Sequence, residues 1–152
     1  MAAFQAVATP SSPARWACAR PTSGPGAIHL LNGLYDAKLD HVPVVALVGQ
    51  TNRSAMGGSY QQEVDLASLY KDVASDFCET AMVPEQLPNL IDRAFRTAYA
   101  KRTVTAIILP ADVQELDYSP PTHAFKMVPS SLGLGRYAPV PATRTSSGPR
   151  TC

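Results

Sequence analysis

Residues 22–50, TSGPGAIHLLNGLYDAKLDHVPVVALVGQ, set a glycine-proline-glycine turn in front of a helix and then a β-branched apolar run. Pro25 suits a first helical turn, where its missing N–H has no partner to lose, and Ser23 is the expected N-cap. The spacing predicts a helix with Ala27, Ile28, Leu31, Leu34, Tyr35 and Leu39 on its inner face, and with His29, Asn32, Gly33 and Asp36 on the other. PVVALVG, Pro43–Gly49, reads as a strand of the kind buried on both faces of a parallel sheet.

Working outward, TNRSAMGGSYQQE (residues 51–63) has Gly57-Gly58 and little apolar period, and is expected to be a loop. VDLASLYKDV gives a short helix with Leu66, Leu69, Tyr70 and Val73 inward. Pro84 to Arg102 carries the clearest helical stripe: Leu87, Leu90, Ile91, Ala94, Phe95, Ala98 and Tyr99, with Lys101-Arg102 complementing the C-terminal dipole. TVTAIIL, Thr103–Leu109, is a second buried strand closed by Pro110. The pattern is α/β, yet two clear strands are few for a sheet, so the domain reads as an incomplete one.

Composition separates this middle from both ends. All twelve acidic residues lie between Asp36 and Asp117 with seven of the thirteen basic ones, leaving that region at −5. Four prolines fall in residues 1–25 and seven in 110–149. A globular part at 22–117 between irregular tails is the expectation. No basic stripe points to nucleic acid, no run is long enough for a membrane span, and Cys18, Cys78 and Cys152 form no metal or disulfide spacing. A cytoplasmic protein is expected. The acid-free N-terminus also admits a transit-peptide reading.

On the residues alone, TSGPG is either an anion-attracting helix start or a plain strand-to-helix turn. His29 and Asn32 read equally as solvated surface groups. Gln50 stands just past a strand's carboxyl end, where open α/β sheets place ligands. Gln62-Glu63 belong to a mobile lid or to an ordinary loop, and Asp112 reads as a turn residue.

Taken together, TSGPGAIHLLNGLYDAKLDHVPVVALVGQ, GGSYQQEVDLASLYKDV and VPEQLPNLIDRAFRTAYAKRTVTAIILPADVQE resemble the thiamine-diphosphate-dependent pyruvate oxidase and quinone-linked pyruvate dehydrogenase family, over about residues 22–143. Acetolactate synthase is a more distant relative. The resemblance implies a pyrimidine-binding (PYR) domain, an incomplete three-layer αβα parallel sheet. It places Thr22, Ser23, Gly24, Pro25, Gly26, Asn32 and Gln50 at the coenzyme, with His29 and Gln62 toward the substrate in catalytic positions. It gives the diphosphate, Mg²⁺ and FAD to other domains, and it implies a homo-oligomeric dimer of dimers acting on pyruvate or another 2-oxo acid. Gln61 departs from the pattern, since relatives often carry an aromatic there.

The same resemblance bears on the tails. In the family the activating glutamate precedes a segment like Met1–Val7, so this chain reads as starting at an internal methionine just after it. Family residues before TSGPG, back-translated and shifted by one base, reproduce much of residues 8–21; a similar shift reproduces residues 145–152. The expected organisation is therefore a remnant at 1–21, frameshifted from about 8, a partial PYR domain at 22–117, a Pro-rich linker at 118–143 and an aberrant tail at 144–152. One mechanism for both tails is favoured over a transit peptide. The function implied is a fragment of an oxidative pyruvate decarboxylase, inactive alone, with a carboligase fragment or a non-catalytic dimerisation module as alternatives.

Overall fold

The computed structural model describes residues 17–122. In chain order these hold β1 (Ala17–Ala19), α1 (Pro25–Leu39), β2 (Val44–Gln50), α2 (Leu66–Tyr70), β3 (Cys78–Thr80), α3 (Leu87–Lys101), β4 (Val104–Pro110) and α4 (Ala111–Gln114). Single 3-10 turns occupy Arg53–Ala55 and Pro84–Gln86. The four strands make one parallel sheet in the order β1-β2-β4-β3.

The two apolar runs of the sequence are its centre. β2 and β4 pair along their full length, from Val44 beside Val104 to Gln50 beside Pro110. Alternation along each strand then feeds two cores. Ala46, Val48, Ala106 and Ile108 face α1 and α2. Val45 and Ile107 face Leu90, Ala94 and Ala98 of α3, together with Phe77. The steps from β1 to β2 and from β2 to β3 run one way across the sheet, whereas β3 to β4 steps back. Right-handed crossovers therefore send α3 to the opposite face. The result is the expected three-layer αβα arrangement with a parallel sheet.

Four strands replace the two expected. β3 is three residues reading Cys-Glu-Thr, too short and too polar to show a period. β1 falls inside the stretch expected to be frameshifted, and forms a three-residue edge strand there. Ala17, Cys18 and Ala19 pair with Val44, Val45 and Ala46, and Ala19 is buried in the core. Small side chains suffice there because β1 is an edge strand, held from one side only. Residues 1–16 of the remnant expected at 1–21 and the segments from 123 onward, including most of the linker at 118–143 and the tail at 144–152, lie outside the described residues.

The helices needed three further corrections. α1 buries Ala27, Leu30, Gly33, Leu34 and Ala37, while Ile28, Tyr35 and Leu39 are exposed. The small residues Ala27, Gly33 and Ala37 let the helix lie close on the sheet, so size rather than hydrophobicity selects the face. Ser23 is not the N-cap: Gly24 holds that position without a side-chain cap, and Pro25 takes the first helical position as expected. α2 is only five residues, started by Asp65, whose carboxylate accepts from the Ser68 N–H at 3.1 Å. On α3, Leu90, Ala94 and Ala98 are buried as expected, and Ile91 is exposed.

Candidate functional site

Every element that carries a candidate residue meets at the carboxyl ends of the strands. After β1 the chain crosses the end of β2 and enters α1. Gly49 permits that crossing, since a Cβ there would sit 3.3 Å from the Ser23 nitrogen. Beside the crossing is a cavity of about 370 Å³, lined in part by Thr22, Ser23, Gly49 and Gln50. This is the crevice position expected of ligand sites in open α/β sheets.

Gly24 joins the turn to the loop after β2. Its φ is +57°, a left-handed conformation natural to glycine. A Cβ at Gly24 would lie 2.7 Å from Gln62 Cβ and 2.9 Å from the Gln62 carbonyl oxygen. The Ser23 hydroxyl donates to Gln62 Oε1 at 3.0 Å. Two residues far apart in sequence are thus locked together, and the Gln62 backbone, itself at φ +66°, is held over the turn.

The loop carrying Gln62 is fastened at several points. Gln50, buried at the end of β2, donates to the Val64 carbonyl at 2.8 Å and accepts from the Thr51 N–H at 2.9 Å. Its amide therefore positions the loop. Glu63 accepts from the N–H groups of Gly57 and Tyr60, and these bonds hold its carboxyl below the ordinary range. At the loop's start, Arg53 binds Asp112 twice: its N–H donates to Oδ1 at 3.0 Å and its Nε to Oδ2 at 2.6 Å. The Arg53 guanidinium also donates to the Met82 carbonyl. The Arg53 bonds hold the Asp112 carboxyl below its usual value. Asp112, expected as a turn residue, is a clamp across the ends of β2, β3 and β4. Nothing in the spacing of Arg53 and Asp112 announces this pair, which only the sheet order brings together.

The structure thus gathers Thr22, Ser23, Gly24, Gln50 and Gln62 around one corner of the sheet. Pro25 and Gly26 open α1 there, with Gly26 packed so closely on Thr22 that a Cβ would fall 2.5 Å from the threonine methyl. His29 and Asn32 are exposed on α1 and do not line the cavity. Among the described residues no three His, Cys, Asp or Glu side chains converge to hold a metal, and no helix is long and apolar enough to cross a membrane. Burial raises the thiols of Cys18 and Cys78, so neither is an activated nucleophile.

Comparison with known proteins finds relatives of the sequence that builds this corner. Residues 1–69 match the thiamine pyrophosphate enzyme N-terminal TPP binding domain. Over those residues the chain is similar to the N-terminal PYR domain of thiamine pyrophosphate enzymes. It is 46% identical over 92 residues to a pyruvate oxidase of Lactiplantibacillus plantarum, covering 60% of this chain and 15% of that protein. It is 45% identical over 91 residues to the putative thiamine pyrophosphate-containing protein YdaP of Bacillus subtilis, covering 60% and 16% respectively. An acetolactate synthase of Arthrospira platensis is 38% identical over 102 residues, 65% of this chain and 17% of that protein. The chain thus spans about a sixth of the length of these relatives. The thiamine pyrophosphate family gives the strand-end corner a ligand to be tested against. A flat aminopyrimidine needs close backbone approach and a few fixed polar groups. At this corner the glycines at 24, 26 and 49 let the chain pack closely on its own Gln62, Thr22 and Ser23, and the Gln62 side-chain amide is a polar group fixed by Ser23.

Proposed function

We propose that this chain forms the aminopyrimidine-binding side of a thiamine diphosphate site in an enzyme that oxidatively decarboxylates pyruvate, passing electrons through FAD to quinone or oxygen. The observation that carries the reading is the Ser23–Gly24–Gln62 lock at the carboxyl edge of the sheet. Bound thiamine diphosphate supplies the electron sink for breaking the bond between the carbonyl and carboxylate carbons of a 2-oxo acid.

This chain's own residues orient and enclose. The Thr22–Gly26 backbone takes one edge of the heterocycle, with Thr22 and Ser23 offering hydroxyls. Gln50 acts through the loop it fastens. Gln62, its carbonyl oxygen engaged by Ser23, keeps its amide N–H groups for an acceptor on the substrate side. His29 and Asn32 stand on the exposed face of α1, where a partner subunit completes the site. Diphosphate, Mg²⁺ and FAD belong to other domains, and the working assembly is a dimer of dimers. The intact protein works in the cytoplasm.

The 38% identity to an acetolactate synthase supports a second reading, a carboligase that joins two 2-oxo acids on the same half-site. A dimerisation module without chemistry would use the same α1 face.

Calorimetric titration of the chain with thiamine diphosphate tests the proposal. Weak binding that is indifferent to Mg²⁺ is expected, because only the pyrimidine half of the site is here. Tight, Mg²⁺-dependent binding would contradict that division.

A further inference from the structure

The turn that opens α1 is gripped from two sides by one stretch of chain. From outside, Gln62 closes on Ser23 and Gly24. From inside, Tyr70, the last residue of α2, donates its hydroxyl to the Ala27 carbonyl at 2.8 Å. Tyr70 is the largest fully buried side chain among the described residues and belongs to the core on the α1 face of the sheet. Packing alone would be served by phenylalanine, because a hydroxyl taken out of water without a partner is costly. An α-helix already assigns the Ala27 carbonyl to the Leu31 N–H, so the tyrosine adds a second bond to the same oxygen. Burial raises the pKa of the hydroxyl, which keeps its proton and stays a donor.

The first turn of α1 has little of its own to fix it. Gly24 stands at the N-cap without a side-chain cap, no acidic residue lies in that turn, and the Ile28 N–H reaches the Gly24 carbonyl at 3.2 Å. Tyr70, by contrast, sits on a braced support. Asp65 caps α2, Gln50 holds the Val64 carbonyl, and the Ala74 N–H donates to the Tyr70 carbonyl at 2.9 Å. The later half of α1 has a separate tie, where Tyr35 and Lys38 donate to the Asp72 carboxylate. We propose that Tyr70 is a positioning residue of the pyrimidine site: its hydroxyl sets where the backbone of residues 24–27 stands, without touching the ligand. What the turn binds rests on the pyrimidine reading, whereas what Tyr70 does to the turn does not.

Two substitutions that each delete one buried hydroxyl separate positioning from stability. Tyr70→Phe removes the bond to Ala27. Thr105→Val removes its counterpart on the other face of the sheet, where the Thr105 hydroxyl donates to the Ala94 carbonyl of α3 at 3.2 Å. Amide hydrogen exchange in the full chain without ligand is the first readout. Tyr70→Phe should speed exchange at residues 26–31 about threefold to tenfold beyond any change in β2 and β4, the fold-change of one neutral hydrogen bond. Thr105→Val should show no such excess. Titration with thiamine diphosphate, followed by NMR at Ser23 and Gly24, is the second readout. A similar loss of affinity is expected in Tyr70→Phe, and full affinity in Thr105→Val. Exchange at residues 26–31 that rises no more than elsewhere, or an equal excess in both variants, would overturn the proposal. So would undiminished affinity in Tyr70→Phe where the wild type binds. A wild type indifferent to the coenzyme counts against the pyrimidine reading alone, since exchange without ligand still decides the role of Tyr70.

Discussion

The Ser23 hydroxyl donates to Gln62 Oε1 at 3.0 Å, and this bond ties the turn after β1 to the loop after β2. The same contact leaves no room for a side chain at Gly24. An ordered loop end without a helix or strand of its own is the consequence.

Gly24→Ala should disrupt this corner more than any other single change there. The new Cβ meets Gln62 backbone and side chain at under 3.0 Å, and alanine is strained at φ +57°. A cost of about 1–3 kcal/mol is expected, read as a lower urea midpoint with an unchanged slope. Ser23→Ala removes only the partly exposed hydrogen bond and should cost about 0.5–1 kcal/mol. Its clearer signature is faster amide hydrogen exchange between residues 57 and 63.

Gln50→Leu keeps the volume of a buried side chain but strands the Val64 carbonyl and the Thr51 N–H. A loss of about 1–3 kcal/mol follows from leaving buried partners unpaired. Thermal unfolding and exchange at Thr51 report it.

Acid should loosen the strand-end loops first. The carboxyls of Glu63, Asp65 and Asp112 are all held below their ordinary values by hydrogen bonds to their charged forms. Depressed carboxyls add stability that is fully present above the unfolded values, 4.5 for Glu and 3.8 for Asp, and is lost as pH falls through the lower folded values. Asp112→Asn should therefore flatten the acid limb of the stability curve while leaving the wild type more stable near neutrality. An Asp112→Asn curve parallel to wild type below pH 3.8 would show that the Arg53 clamp carries none of the effect.

The sequence displayed the centre of this fold and hid its edges. VVALVG and TVTAIIL are long, β-branched and bounded by proline or glycine, so their burial is legible without a structure. β1 and β3 are three residues each, and their pairing depends on longer neighbours. On α1 both faces carry apolar residues. The inner face was decided by close approach at Ala27, Gly33 and Ala37, which hydrophobic periodicity does not register. The site was legible mainly as a whole pattern. Thr22–Gly26, Gln50 and Gln62 converge through sheet order, whereas Arg53 and Asp112, 59 positions apart, have no local signal.

The exposed apolar side chains of α1 have a physical consequence. Ile28, Tyr35 and Leu39 lie on one side of a helix whose other side is fully packed. Such a patch favours association, so the melting temperature should rise with protein concentration. Leu39→Lys, at a position 76% exposed, should abolish the dependence without lowering the monomer's own midpoint.

Mapping thiamine diphosphate onto the full chain by ¹H–¹⁵N NMR addresses the pyrimidine site most directly. Millimolar ligand should shift the amides of Thr22, Ser23, Gly24 and Gly26 and the side-chain amide of Gln62 along one saturable curve, and Gly24→Ala should erase the response. Shifts confined to other surfaces, or none at Ser23, Gly24 and Gln62 up to ligand saturation, would contradict the placement of the coenzyme's pyrimidine at this corner.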